Sequence, residues 1–330
     1  MPHSAVIFGC AGPKLSQAEA DFFRAAQPWG FILFGRNVES PEQLRRLTGD
    51  LRAAVGWNAP ILIDQEGGRV QRLRPPHWRA FLPALEQMER ASDALRAQWL
   101  RNRLIAADLA AVGIDVNCAP LADLVEPETH ESLRGRLYGE TVAGVVAAAN
   151  AAADGLLAGG VLPVLKHIPG YGRANVDSHL HLPTVTAPLD ELLARDFAPF
   201  IELRDMAMGM TAHVVYTAID PELPATVSPA MIALIRQTIG FDGLLMSDDV
   251  SMNALSGTIA QRAAATVAAG VDLALHCNGD MVEMEAVAGA VPRVTVAAVA
   301  RAARALGQRR TPDAADLDAL WDELQGLINV

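Results

Sequence analysis

The sequence contains little cysteine, and its basic residues form no run. Its three cysteines, Cys10, Cys118 and Cys277, are too few and too far apart to build a disulfide framework. This usage indicates a reducing compartment. The formal net charge is −11 and no Lys/Arg-rich segment occurs, which argues against nucleic-acid or anionic-membrane partners, because both bind clustered positive charge.

Long uninterrupted apolar runs are also missing. The most apolar stretch, 142–165, is broken by Asn150, Asp154 and the Gly159-Gly160 pair, whereas a membrane-spanning helix needs about 20 predominantly apolar residues. We interpret this stretch as a buried helix followed by a strand. The first residues carry no basic region ahead of a short apolar run, so we expect a first strand rather than an export signal, and a cytoplasmic protein.

What the sequence does contain is a repeated alternation of short apolar runs with helix-period segments, which is typical of βα units. Polar residues follow the apolar runs, and a closed barrel would gather them around one mouth, whereas an open doubly wound sheet would spread them along an edge. With no linker or composition break, we predict an α/β fold, a (β/α)8 TIM-type barrel that forms a single domain over 1–330. The eight candidate strands begin near Ala5, Trp29, Pro60, Gly113, Gly160, Ala207, Asp242 and Val271.

Three helices have clear start signals. Ser16, the Ser40-Pro41 pair and the Ser228-Pro229 pair each precede a segment of helical periodicity. Serine is a favourable N-cap, and proline is well tolerated at the first helical position because the N–H that it lacks would have no helical partner there. We predict that a helix begins directly after each serine.

The stretch 166–183, KHIPGYGRANVDSHLHLP, combines chemistry-bearing residues with glycine and proline and is typical of a long ordered loop. In an extended segment the side chains of Asp177 and His179 lie on the same side, so the carboxylate can orient the imidazole. A surface Asp and His would give the same pattern. His179 and His181 also have the spacing of two metal ligands on an extended segment.

Two further stretches end apolar strands on carboxylates. GFDGLLMSDDVSM ends on Asp248 and Asp249, of which one is expected to face the barrel mouth while an N-cap role is the alternative for either. ILIDQEGGRVQRL places Asp64 and Glu66 before two arginines, a set that could bind sugar hydroxyls or form a solvated salt-bridge cluster.

Together these stretches resemble glycoside hydrolase family 3, and most closely its short single-domain bacterial β-N-acetylglucosaminidases. KH-x-PG-x-G followed by DSH, SDD-x-SM after an FDG-containing strand, and IDQEGGRV are similar to the family's hallmark segments. The resemblance covers nearly the whole chain. The sequence departs from the family pattern at Leu137-Tyr138 after Arg136, at Ile168 and at Tyr171.

The resemblance implies a role for each matching residue. Asp248 would be the nucleophile, and His179, assisted by Asp177, the acid/base of a retaining reaction. Substrate binding is implied for Asp64, Arg72, Arg136, Lys166 and His167. It also implies muropeptide fragments, GlcNAc-anhydroMurNAc peptides, as substrates in cell-wall recycling, with no metal and no cofactor. Aromatic residues make up only 5% of the chain, which favours one small pocket and exo action over a long stacking cleft; a monomer is the default expectation.

Three other functions remain open at this point. A phosphorylase would pass the sugar from the same covalent intermediate to phosphate, which a neutral imidazole repels less than a carboxylate does. A metal-dependent barrel hydrolase would use His179 and His181 with ligands from other strand ends, such as His213 or His276. A non-catalytic sugar-binding protein of the same fold is the third.

Overall fold

The computed structural model describes residues 3–176 and 181–328. Within them the strands are β1 (Ser4–Phe8), β2 (Pro28–Leu33), β3 (Ile61–Ile63), β4 (Gln65–Gly67), β5 (Val70–Gln71), β6 (Val116–Asn117), β7 (Leu162–Pro163), β8 (Leu165–Ile168), β9 (Thr184–Val185), β10 (Met208–Thr211), β11 (Val215–Tyr216), β12 (Leu244–Asp249) and β13 (Leu273–His276). The helices are α1 (Gln17–Ala26), α2 (Pro41–Val55), α3 (Ala84–Arg90), α4 (Ala94–Ala110), α5 (Glu131–Arg134), α6 (Val142–Ala158), α7 (Leu189–Ala194), α8 (Ala198–Glu202), α9 (Pro229–Leu234), α10 (Ile259–Ala268), α11 (Met281–Ala290), α12 (Val296–Gly307) and α13 (Leu317–Ile328).

Nine of these strands form a parallel sheet in the order β7-β6-β3-β2-β1-β13-β12-β10-β8. The two ends of this order, β7 and β8, are separated only by Val164 and constitute one interrupted strand. Because β7 pairs with β6 and β8 pairs with β10, the sheet closes into a barrel of eight strands, with β7 and β8 counted as one. The predicted (β/α)8 barrel is therefore confirmed, and each of the eight candidate strands contains one strand of the barrel.

Two candidate strands extend less far into the barrel than the apolar runs suggested. The run from Ala207 leaves the barrel after Thr211, and its second half becomes β11, which pairs with β9 outside the barrel. The run from Pro60 ends its barrel strand at Ile63, and the next residues form an antiparallel pair, β4 with β5. In both places the chain leaves the barrel strand at the mouth and forms a short strand outside the barrel sheet.

The expected helix starts are confirmed. The side chains of Ser16, Ser40 and Ser228 each accept a backbone N–H from the third residue of the helix that follows. The helix after Ser228 continues as a π-helical turn, Ile235–Ile239. The stretch 142–165 divides into α6 and the interrupted strand as expected. Among the described residues, no helix has both the length and the apolarity required to cross a bilayer.

Alternation along the strands separates an inner core from an outer one. In β1, Ile7 belongs to the cluster inside the barrel, while Val6 and Phe8 pack toward the helices, because successive strand side chains face opposite sides. The inner cluster is capped at the C-terminal ends of the strands by Ile32, Met210 and Leu275, which line a cavity there. Barrel enzymes carry their chemistry at this end.

Candidate active site

The cavity at the barrel mouth has a volume of about 350 Å³. It brings together every predicted site residue that the structure describes, from four separate segments of the chain: Asp64, Arg72, Arg136, Lys166, His167 and Asp248. Asp177 and His179, the predicted acid/base pair, lie outside the described residues. Tyr171, Arg69, Ser132 and Asp249 also border the cavity.

One wall of the cavity is a network of alternating charges. Lys166 Nζ donates to Asp64 Oδ1 at 3.0 Å and lies 2.7 Å from Glu66 Oε1. Arg136 binds Glu66 through two hydrogen bonds of 2.8 Å, from Nε to Oε2 and from Nη2 to Oε1. Arg72 Nη2 donates to Asp64 Oδ2 at 3.2 Å. Three cations therefore share two carboxylates, and each charged group is held in a defined direction.

These contacts keep the network ionised although it is largely buried. Burial alone would raise the pKa of Asp64, but Lys166 and Arg72 hold it well below the ordinary value. Burial alone would lower the pKa of Lys166, whose side chain is only 2% exposed, but Asp64 and Glu66 raise it above that of an ordinary lysine. The ammonium group is therefore charged at neutral pH.

Glu66 belongs to a salt-bridge cluster, one of the two alternatives that the sequence left open for it, but the cluster is largely buried rather than solvated. Glu66 is the bidentate partner of Arg136 and the second partner of Lys166, so it orients two groups that were predicted to bind the sugar. IDQEGGRV marked it as one of two carboxylates after a strand, but its partners come from positions 70 and 100 residues further along the chain. Nothing in local spacing indicates that Asp64 lines the cavity whereas Glu66 does not.

Asp248 lies at the end of β12 and is only partly buried. Its Oδ1 accepts the backbone N–H of Asp249 at 2.8 Å. Burial alone would raise the pKa of Asp248, but nearby positive charge, that of His167 foremost, and the backbone hydrogen bond outweigh burial and lower it. Asp248 is therefore an ionised carboxylate at neutral pH. Within residues 3–176 and 181–328 it forms no ion pair, unlike Asp64 and Glu66.

Asp249 holds the strand end rather than capping a helix. Its carboxylate accepts from Ser251 N at 3.0 Å, from Ser251 Oγ at 2.6 Å and from Cys277 N at 3.3 Å, and Thr258 is the N-cap of α10. Its carbonyl oxygen lies 3.0 Å from His213 Nε2. Because a carbonyl only accepts, Nε2 of His213 carries the proton. Burial lowers the pKa of this imidazole, which keeps it neutral beside the strand end.

His167 is fixed by Asp123, a residue that the sequence did not single out. Asp123 Oδ2 lies 2.8 Å from His167 Nδ1, and the two carboxylate oxygens each accept from His167 N at 3.2 Å. On its other side, the His167 ring meets Tyr171 edge to face, with centroids 5.4 Å apart. The imidazole therefore presents its Nε2 edge to the cavity, which it lines.

Both described flanks of the loop are fastened to the barrel. On one side, Thr129 Oγ1 donates to Gly172 O at 2.6 Å, His130 N donates to Ala174 O at 3.0 Å, and Tyr216 OH donates to Gly170 O. On the other side, Val215 N donates to Pro183 O at 2.9 Å, just before β9. The described residues on both sides of the segment predicted to carry the acid/base are thus held by hydrogen bonds, and Tyr171 on the first side lines the cavity.

The comparisons with known proteins agree with this geometry. The family model described as the glycosyl hydrolase family 3 N-terminal domain matches residues 6–306. The chain belongs to this family. It is 40% identical over 277 residues to a β-hexosaminidase of Methylococcus capsulatus, covering 82% of each protein, and 38% identical over 288 residues to one of Chromobacterium violaceum, covering 84% of this chain and 80% of that protein.

Solved structures of the family superpose over the whole barrel. NagZ of Neisseria gonorrhoeae in complex with N-trifluoroacetyl-D-glucosamine has a TM-score of 0.87 at 30% identity, covering 100% of this chain and 99% of that one. The resemblance of the motifs to family 3 is therefore confirmed, and the chain is a glycoside hydrolase. At two family departures the residues are well packed: Ile168 is buried in the core, and Tyr171 packs against the His167 ring.

The charge network predicts how stability depends on pH. Burial alone would raise the pKa of Glu66, but Arg136 and Lys166 lower it to about 2 from the ordinary value of 4.5. Because the folded-state pKa is depressed, ionised Glu66 stabilises the fold fully above about pH 4.5, and this contribution is lost as the pH falls toward 2. Glu66→Gln should lower the free energy of unfolding in urea by about 3 kcal/mol at pH 7.

The difference between wild type and Glu66→Gln should then shrink progressively between pH 4.5 and 2. Glu323→Gln is the matched control, because Glu323 pairs with Arg96 on the surface and such a pair contributes less than about 1 kcal/mol. A difference for Glu66→Gln that stays constant down to pH 2 would contradict the assigned electrostatics.

Proposed function

We propose that this family 3 enzyme is a retaining exo-β-N-acetylglucosaminidase that acts through a covalent glycosyl-Asp248 intermediate, with His179 and Asp177 as its acid/base pair. The observation that carries the proposal is the contrast among the cavity carboxylates. Asp64 and Glu66 are neutralised by cations, and Asp249 is engaged by Ser251 and Cys277. Asp248, among the residues that the structure describes, lines the cavity ionised, without an ion pair and without a side-chain partner. A carboxylate in that state is available to attack.

In the first step Asp248 attacks the anomeric carbon, the glycosidic C–O bond breaks, and His179 donates its proton to the leaving oxygen. In the second step neutral His179 takes a proton from water, which attacks the same carbon and releases Asp248. Each step inverts the configuration, so the net result is retention. The imidazole of an unperturbed histidine has a pKa of about 6.5 and supplies both forms near neutral pH, while Asp177 favours the imidazolium needed first.

The remaining cavity residues suit the recognition of one sugar. Arg72, Arg136 and Lys166 present N–H donors, and Asp64 presents acceptors, in directions that their mutual ion pairs hold. A cavity of about 350 Å³ accommodates a single hexosamine rather than an oligosaccharide, which supports exo action. The N-acylated glucosamine bound by the gonococcal NagZ supports an N-acetylhexosamine in this position.

Arg69 at the cavity, together with two arginines that bind the backbone of cavity-lining residues, supports a leaving group that carries negative charge. Arg69 lines the cavity and donates to Ser132 O, Arg74 donates to Arg69 O, and Arg36 donates to Cys10 O and Cys277 O. In the described part of the chain none of the three arginines has a carboxylate partner. On a protein with a net charge of −11, such a cluster is suited to a ligand that carries carboxylates.

Muropeptides, in which N-acetylglucosamine is linked to an anhydro-muramyl peptide, carry such carboxylates on the peptide of the leaving group. We therefore propose a role in cell-wall recycling in the cytoplasm, performed by one catalytic domain over 1–330 acting as a monomer. The relatives named β-hexosaminidase support the activity class.

The proposed reaction is tested with a chromogenic N-acetyl-β-glucosaminide. The wild type should hydrolyse it, and Asp248→Asn should lose at least about 1,000-fold in kcat, since the amide cannot form the ester. His179→Gln should lose most of its activity on a poor leaving group and less on an activated one, because protonation matters less there. Activity of Asp248→Asn near that of wild type would contradict the proposal.

The same assay separates the alternatives. The wild-type rate should be unchanged by a chelator; loss of turnover, restored by added metal, would favour a metal-dependent hydrolase. In phosphate buffer the sugar product should remain free N-acetylglucosamine, and a sugar 1-phosphate as the main product would favour a phosphorylase. Stoichiometric binding without turnover by the wild type would indicate a sugar-binding protein.

Arg69 gives a separate prediction about recognition of the leaving group. Arg69→Gln should lower kcat/KM about fivefold on an N-acetylglucosaminyl-muramic acid substrate, the equivalent of about 1 kcal/mol for an exposed ion pair. It should leave kcat/KM on the neutral chromogenic substrate nearly unchanged. Arg96→Gln, on α4 away from the cavity, serves as the control for loss of a surface charge. Equal decreases in kcat/KM on both substrates would show that Arg69 does not recognise the charge of the leaving group.

A further inference from the structure

Asp123 is the most completely buried carboxylate near the cavity, with an exposure of 0%. It lies in the segment after β6, where Ala122 N donates to Lys166 O at 2.8 Å and Val125 N donates to Gly139 O at 2.9 Å. This segment is therefore held against β8, the strand that carries Lys166 and His167. Asp123 does not line the cavity, so it acts through other residues and does not touch substrate.

Within the part of the chain that the structure describes, Asp123 accepts its hydrogen bonds from the start of the 166–183 stretch. His167 donates through its backbone N at 3.2 Å to each oxygen and through its ring Nδ1 at 2.8 Å, and Tyr171 N donates at 2.7 Å. Among residues 3–176 and 181–328, Asp123 has no other ion-pair partner than His167. One buried carboxylate thus holds both a cavity imidazole and the backbone four residues further on.

The hydrogen-bonding chemistry of a carboxylate determines whether Nδ1 of the His167 ring is protonated. An ionised carboxylate only accepts hydrogen bonds, so Nδ1 of His167 must carry a proton. Nε2, the nitrogen on the cavity side, is then either an acceptor in the neutral ring or a donor in the imidazolium. An amide in place of the carboxylate could donate to Nδ1 instead, which would invert the neutral tautomer.

We infer that Asp123 is a positioning residue for the glycosidase: it fixes the protonation of His167 Nδ1 so that Nε2 meets the bound sugar, and it fastens the first turn of the loop that carries the acid/base. The catalytic consequence rests on the proposed function, because that function assigns His167 to the sugar and His179 to the loop. The predicted protonation of His167 Nδ1 does not depend on the proposed function.

The direct test is ring-nitrogen NMR on protein labelled with 15N-histidine, with the His167 signals assigned by their loss in His167→Gln. The wild type should show His167 Nδ1 protonated, whether the ring is neutral or charged. In Asp123→Asn the same nitrogen should be unprotonated. An unprotonated Nδ1 in the wild type would overturn the inference without any need for the variant to fold.

Kinetics of the same variant provide the functional readout. Asp123→Asn should lower kcat/KM on the chromogenic N-acetyl-β-glucosaminide about 10- to 100-fold, as expected when a hydrogen bond that involves a charged group is lost. Asp108→Asn is the matched control, since Asp108 is a largely buried aspartate on α4 that pairs with Arg79. It should leave both the His167 signal and the kinetics as in wild type.

The two readouts separate failure of this inference from failure of the proposed function. A folded Asp123→Asn that keeps Nδ1 protonated, or that matches wild-type kcat/KM, would overturn the role of Asp123 and leave the glycosidase assignment intact. A wild type that is inert on N-acetylglucosaminides but shows protonated Nδ1, lost in Asp123→Asn, would retain the positioning of His167 and reject the proposed reaction.

Discussion

Lys166 places a buried positive charge at the centre of the barrel mouth, and the neighbouring side chains are arranged to neutralise it. A buried ammonium is costly unless it is paired and hydrogen-bonded, and Asp64 and Glu66 both meet it within 3.0 Å. Those two carboxylates in turn require Arg72 and Arg136. The resulting network holds one wall of the cavity in place. Of the other two cavity carboxylates in the described residues, neither of which forms an ion pair, Asp249 is held by Ser251 and Cys277, whereas Asp248 accepts only the backbone N–H of Asp249 there.

The barrel was predictable because it depends on local patterns. Apolar runs bounded by Gly and Pro predicted all eight barrel strands, and N-cap serines predicted the starts of α1, α2 and α9. That Asp64, Lys166, His167 and Asp248 lie at one cavity was predictable because polar residues at the ends of parallel barrel strands meet at one mouth. Arg72 and Arg136 were found there because the motifs that contain them resemble those of family 3. The length of a barrel strand was predicted wrongly where an apolar segment continued beyond it, as in the stretch from Ala207, whose second half forms a strand outside the barrel.

The supporting residues were not predictable, because they act over long sequence separations. Glu66 and Arg136 are 70 positions apart, and Asp123 and His167 are 44 apart. Asp123 stands in the apolar stretch PLADLVEP, where no periodicity marks it as functional. Its significance follows only from the fold, which sets the segment after β6 beside β8. Local patterns thus identify the residues that face the cavity, whereas the residues that hold them in place require the tertiary structure.

The central claim, that Asp248 forms a covalent bond with the sugar, is tested most directly by trapping that bond. The protein would be incubated with an activated 5-fluoro analogue of an N-acetyl-β-glucosaminide, whose electron-poor ring slows hydrolysis of the intermediate, and then digested and examined by mass spectrometry. The account predicts a single glycosyl adduct on the peptide that contains Ser247, Asp248 and Asp249, located at Asp248 by fragmentation and absent in Asp248→Asn. An adduct on another residue, or turnover of the analogue that yields the inverted anomer first, would contradict it.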